Sequence, residues 1–96
     1  MTLVFHPQAL NELIEAADFY EGRRAGLGTE FETVVQSAFI VIQENPLRWP
    51  LHRAGVRRYR LKRFPFAILY RPSAESLVVI AVMHLSRRPG YWTGRL

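Results

Sequence analysis

Any chemistry in this chain has to come from imidazole and guanidinium groups, because its 96 residues contain no cysteine. Thiolate nucleophiles, disulfides and thiolate zinc sites are therefore excluded. The three histidines, His6, His52 and His84, lie far apart in sequence, and none pairs with another at metal-ligand spacing. No metal and no cofactor is expected. The guanidinium groups, by contrast, cluster. Residues 45–96 carry ten arginines and Lys62 against Glu75 alone, a net of +10, whereas residues 1–44 carry seven acids against Arg23 and Arg24, a net of −5. Clustered arginine releases counterions from phosphate and grips carboxylates in a planar fork. A polyanion or an acidic protein is thus the expected partner of the second half. A solvated basic sheet edge that discourages aggregation is the alternative reading of the same charge.

The frame that positions these groups is legible in the hydropathy pattern. A chain this short, 49% apolar, supports one core, so residues 1–96 read as a single domain with little stability to spare. Its longest apolar runs, such as Leu77 to Met83, fall far below the roughly 18 residues of a membrane span. The N-terminus also lacks the basic-then-apolar order of a signal peptide, so a cytoplasmic protein is expected. Thr2 to Phe5 is short and β-prone, and Pro7 stands where a first helical turn tolerates proline. From Pro7 to Glu21, Leu10, Leu13, Ile14 and Ala17 recur at helical spacing, with acids between them. After Gly22, Gly26 and Gly28, the stretch Thr29-Glu30-Phe31-Glu32 has the form of a capping box opening a second helix. Phe31, Val34, Val35, Ala38 and Ile42 form its apolar stripe, and Asn45-Pro46 ends it. Two such helices joined by a short connection pack as an antiparallel hairpin.

Past Pro46 the period changes to two. Trp49-Pro50 through Gly55 reads as a loop, and Val56–Lys62, Phe66–Arg71 and Leu77–His84 read as strands with hairpin connections. The fold class is α+β: a small antiparallel four-stranded sheet on an αα-hairpin, in the order β-α-α-β-β-β. Arg58, Arg60 and Lys62 share one face of the first of these three strands, opposite Tyr59 and Leu61. The last two strands are apolar on both parities, and a helical hairpin covers only one face. The second face needs a cover, either residues 85–96 or a partner chain.

This order, with particular words in the sequence, resembles the RelE/ParE superfamily of type II toxin–antitoxin toxins. The words are His6-Pro7 with Ala9 and Leu13, Tyr20, Gly26-Leu27-Gly28 with Phe31, and Glu44-Asn45-Pro46 with Trp49-Pro50. They continue as Arg57-Arg58, Arg63-Phe64-Pro65-Phe66, Tyr70-Arg71, Ala81-Val82 with His84, and Arg87-Arg88-Pro89-Gly90-Tyr91-Trp92. The resemblance covers essentially the whole chain. It implies growth inhibition by the free toxin, a cognate antitoxin (ParD-like or other) with an acidic, helix-containing tail, and operator DNA bound through the toxin–antitoxin complex.

The superfamily divides by target: RelE-like members cut mRNA in the ribosome, and ParE-like members are associated with inhibition of DNA gyrase. Cleavage by a ribose 2′-hydroxyl needs a base, an acid for the leaving oxygen, and cations for the phosphorane. His84, Arg63, Arg88 and Tyr91 are the candidates, Tyr91 by stacking on a base or donating a proton. Each has a structural reading as well: His84 as a backbone-bonded strand end, and Tyr91 and Trp92 as core-closing aromatics under the helical hairpin. RelE-like nucleases commonly use several lysines, and Lys62 is the only one here. The words Phe64-Pro65-Phe66 and Tyr70-Arg71, and the segment from His84 to Trp92, look more like the ParE-like, plasmid-stabilisation branch. That branch implies a binding toxin without catalytic residues. Its target- or antitoxin-binding side chains would be Arg57, Arg58, Arg60, Lys62, Arg63, Arg71, Arg87, Arg88, Tyr91 and Trp92. A ribosome-dependent mRNA endonuclease and a non-toxic DNA-binding co-repressor module are the alternatives.

Overall fold

His6 and Pro7 turn the chain from strand to helix in the computed structural model, which describes residues 1–96. Strand β1 (Thr2–Phe5) ends there and helix α1 (Pro7–Arg23) begins. His6 is the N-cap, its Nδ1 accepting the Gln8 N–H at 3.1 Å, while Pro7 has no N–H to satisfy. Helix α2 (Leu27–Glu44) follows after only 24–26. It starts two residues before the expected cap, and the expected Thr29–Glu32 capping box does not form. Because the connection is so short, Glu21 at the end of α1 reaches the free N–H groups of α2. Its carboxylate accepts from Gly26 at 2.8 Å and Gly28 at 2.9 Å. These bonds hold the Glu21 carboxyl below the ordinary carboxylate range.

The two helices touch at a glycine. A Cβ on Gly28 would stand 2.5 Å from the Ala17 carbonyl oxygen, a backbone atom that cannot move aside. Small residues set the rest of this contact. Ala9, Ala16 and Ala17 are buried on α1, whereas Leu10 and Ile14, expected in the stripe, remain 42% and 50% exposed. The helix is thus rotated so that alanines allow close approach. Leu10 instead joins Leu3, Phe5, Leu13, Phe39 and Ile40 along an apolar groove of about 380 Å3.

Strands β2 (Leu51–Arg53), β3 (Val56–Arg60), β4 (Phe66–Pro72) and β5 (Ser76–His84) complete a sheet ordered β1-β5-β4-β3-β2. The α+β class and the helical hairpin are as expected, with two differences of detail. The sheet has five strands instead of four, and β1 runs parallel to β5, so the sheet is mixed. The additional strand, β2, lies in the stretch read as a loop. Its three residues are all exposed and show no alternation. It is defined by its turn: Ala54 and Gly55 at φ 55° and 75° make a two-residue hairpin whose twist suits the flanking strands.

On the helix-facing side Phe31, Ile42, Ile68, Tyr70, Leu77 and Val79 are fully buried. Tyr20, Phe31, Phe64 and Phe66 interlock there with ring centroids 4.8 to 5.3 Å apart along the chain of contacts. The opposite face has its own smaller core of Val56, Leu69, Ile80, Ala81 and Trp92.

Two outcomes follow from the hairpin contact. Gly28→Ala is expected to destabilise the fold by about 1–3 kcal/mol, since backbone must shift to admit one methyl. A thermal melt matching that of the unsubstituted chain would count against the close approach. The Glu21 cap is expected to fail in acid. Its folded pKa lies below the unfolded value of about 4.3, so its stabilisation is full above that value and is lost as pH falls through the folded one. Glu21→Gln should therefore be less stable at neutral pH and show a shallower acid limb; parallel limbs for the two proteins would exclude this role.

Candidate functional site

The last twelve residues decide where the candidate side chains end up. After β5 they cross the outer face of the sheet, and Trp92, fully buried, sits against Val56, Leu69, Ile80 and Ala81. Of the two covers the sequence allowed, the C-terminal segment is the one found. Trp92 therefore closes the core opposite the helices, not the one under them. Its indole N–H has no acceptor, a cost of about 1–3 kcal/mol offset against burial of the largest side chain in the molecule. Gly90 at φ 76° brings the segment against the guanidinium of Arg53, which a Cβ there would meet at 3.4 Å.

One polar cluster pins this segment to α1. Arg95 donates to both carboxylate oxygens of Glu12, at 2.8 and 3.0 Å, and the pair is only 8% and 17% exposed. Tyr91 donates its hydroxyl to Glu12 Oε2 at 2.6 Å. Burial and the adjacent carboxylate push its phenol far above the ordinary tyrosine range. The Tyr91 ring lies between the guanidiniums of Arg87 and Arg95, 4.0 and 5.0 Å from its centroid. The same cluster repairs a break in the sheet. Between Leu69 and Tyr70 the register to β5 jumps from Ala81 to Val79, so Ile80 is bulged. Arg95 donates to the Ile80 carbonyl at 3.0 Å, and the Val82 N–H donates to Glu12 Oε1 at 3.0 Å.

His84 ends β5 on the helix side of the sheet, its ring edge-on to Phe66 at 5.0 Å. Its Nδ1 is engaged by the Ser86 N–H at 3.0 Å and hydroxyl at 2.8 Å. With Glu12, Phe19, Tyr20, Phe66, Val82 and Arg87 it lines an open cleft of about 310 Å3. Arg58 and Arg60 share the parity of Val56 and stand on the outer face. There they line, with Trp49, Pro50, Leu51 and His52, a polar cleft of about 500 Å3. Arg71 packs beside Gly55 at the tip of the β2–β3 hairpin. The fold thus brings His84 together with Arg87 and the Glu12–Tyr91 pair, and separates it from Arg58, Arg60 and Arg71.

Two of the candidate cations are engaged in holding loops. Arg57 donates to the Leu47 and Trp49 carbonyls at 3.1 and 2.8 Å, and Tyr70 donates to the Pro46 carbonyl at 2.7 Å, so both fix the turn after α2. Arg63, in a left-handed backbone conformation at φ 69°, pairs with Glu30 at 2.8 Å and stacks on Phe64. Arg58, Arg60, Lys62, Arg71, Arg87 and Arg88 have no carboxylate within ion-pair distance.

Glu12 and Arg95 were not among the residues singled out from the sequence. Glu12 stands three residues after Ala9 and four before Ala16, on the buried stripe of α1, and an acid at such a position is a signal. It is hidden when the stripe is phased on Leu10 and Ile14.

Residues 3–89 match the family model described as ParE toxin of type II toxin-antitoxin system, parDE. No curated protein sequence matches the chain. A solved structure described as the chromosomal ParDE TA system from P. aeruginosa has the same fold, with a TM-score of 0.64 at 18% identity. The match covers 90% of this chain and 97% of that one.

The buried pair gives a direct test of how the C-terminal segment is held. Arg95→Met strands a buried carboxylate and is expected to cost about 3 kcal/mol. Adding Glu12→Gln removes the charge while keeping an acceptor for the Val82 N–H, and should restore at least about 1 kcal/mol of that loss. Urea denaturation of the two single variants and the double variant measures the coupling, and strictly additive losses would exclude it.

Proposed function

The chain belongs to the ParE toxin family of type II toxin–antitoxin systems, and from that premise we propose that it arrests growth by binding DNA gyrase and not by cleaving RNA. The observation that carries this reading is the division of the candidate residues between the two faces of the sheet. A ribonuclease needs a base, an acid and cations converging on one phosphate. Here His84 faces the helices, Arg58 and Arg60 face the other way, and the Tyr91 proton is held by Glu12. A binding toxin needs only a shaped, charged surface. The outer face supplies one, with Arg58, Arg60 and Arg71 free of acidic partners, Arg87, Arg88 and Lys62 exposed beside it, and Trp92 and Tyr91 holding the segment that borders it.

In this reading a cognate antitoxin covers the protein until it is needed, and its acidic tail answers the cationic half of the chain. Operator DNA is then bound by the complex, through the antitoxin. The protein acts in the cytoplasm, where gyrase and the antitoxin are found.

Purified chain added to gyrase and relaxed plasmid is expected to suppress supercoiling. Arg58→Glu with Arg60→Glu should weaken that effect by about tenfold or more while leaving the fold intact by circular dichroism. Within minutes of induction without antitoxin, mRNA 5′ ends should remain unchanged. New ends phased with codons, together with unaffected gyrase, would instead establish the ribosome-dependent nuclease. Expression without growth arrest would establish the co-repressor reading.

A further inference from the structure

The cleft between α1 and the end of β5 lies where the sheet is missing a strand. β1 runs beside β5 only as far as Phe5 opposite Val79, its line ending with the His6 N–H on the Val79 carbonyl at 2.9 Å. Pro7 then takes the chain away into α1. β5 continues to His84 with β4 on one side and no strand on the other.

Most backbone groups along that open edge are satisfied from within the chain. The Ile80 carbonyl has Arg95, the Val82 N–H has Glu12, and the His84 carbonyl accepts the Arg87 N–H at 3.0 Å. Because the Val82 N–H points away from β4, the alternation of an antiparallel ladder sends the Val82 carbonyl and the His84 N–H to the same side. These two groups, an acceptor and a donor flanking Met83, are spaced to bond one residue of an added strand.

The surroundings of that gap favour one kind of occupant. Phe19, Tyr20 and Phe66 give the cleft an apolar lining, and Phe19 is 57% exposed. Arg23 lies over the Phe19 ring at 5.0 Å and Arg87 over Tyr91 at 4.0 Å, and neither has a carboxylate partner. Glu15 is the one acid lining the cleft that is not ion-paired.

We propose that this gap is a strand-addition site for an extended acidic peptide segment of a partner protein. One residue of the segment pairs with the Val82 carbonyl and the His84 N–H, an apolar side chain enters the cleft, and flanking carboxylates meet Arg87 and Arg23. Main-chain bonds supply the register and the cleft supplies selection. The proposal rests on the neutralisation reading only for the identity of the partner, the antitoxin; the site itself stands on the open edge, the apolar lining and the unpaired arginines.

The test is a titration of the 15N-labelled full chain with a short N-acetylated peptide alternating aspartate with leucine, beside the same peptide with lysine for aspartate. Saturable amide shifts are expected at His84 and along Ala16 and Phe19 with the acidic peptide only. Phe19→Glu, at an exposed position, and Arg87→Glu should each weaken binding by about tenfold. Equal binding of the lysine peptide, shifts confined to the groove of Leu10 and Ile40, or no saturable shift would each overturn the proposal. Gyrase supercoiling is measured separately, so the peptide site and the gyrase reading fail independently of each other.

Discussion

A single buried ion pair, Glu12 with Arg95, joins the three parts of this molecule that sequence order keeps apart. It lies on α1, at the C-terminal segment and over the bulge of β5 at once. The bulge reverses which side chains face which core: Leu77 and Val79 point toward the helices, Ile80 and Ala81 both point outward, and Val82 points inward again. That reversal lets β5 serve two cores, but it breaks the ladder, and the freed amide and carbonyl must be bonded elsewhere. Glu12 and Arg95 bond them. A pair of this kind is weak evidence for net stability, because desolvation offsets much of the attraction. What it specifies is geometry, since only one placement of residues 85–96 satisfies both the carboxylate and the Ile80 carbonyl.

The charge asymmetry acquires a physical meaning once the acids are placed. Glu12, Glu21 and Glu30 are spent inside the fold: one on the bulge, one on the α2 N-terminus and one on Arg24 and Arg63. The helix N-terminus is where a carboxylate is most useful, and a residue from the preceding helix provides it. Most of the arginines have no such internal work. They cover the outer face and both ends of the C-terminal segment, so the surface field of the molecule is more positive than its net charge of +5 suggests.

The class, the helical hairpin and the last three strands were legible because they rest on periodicity, which is local. Phasing was less legible. On α1 the larger residues Leu10 and Ile14 suggest the buried stripe, yet alanines occupy it, because a glycine contact at Gly28 brings α2 too close for anything longer. The capping box failed for a related reason. Glu21 competes for the same N–H groups, and its advantage lies in tertiary proximity that no four-residue pattern contains. β2 was invisible because an exposed three-residue edge strand has no hydrophobic pattern to read; only the turn at Ala54 and Gly55 defines it. Among the candidate site residues, chemistry by residue type was readable, but the face each one occupies was not. Side chains at His84 and Arg58 look equivalent in a list of cations and imidazoles, and strand parity together with a bulge is what separates them.

The fold closes one of its faces by itself and leaves other surfaces open. Residues 85–96 cover the outer face with no regular element longer than a 3-10 turn, Thr93–Arg95, so the cover is held by side chains and not by a backbone ladder. Trp92 supplies the area and Glu12 supplies the register. On the helix side, Leu10, Ile14 and Ile40 stay 42% to 60% exposed along the groove between the helices, and Phe19 stays exposed at the other flank of α1. A small domain has little stability with which to tolerate such exposure. Burying those side chains against one another would require α1 to rotate, and rotation would carry Glu12 off the stripe it shares with Ala9 and Ala16. The bulge in β5 would then lose its acceptor. Apolar exposure on α1 and the polar anchor of the C-terminal segment are therefore two consequences of one helix orientation, which Gly28 on α2 makes possible.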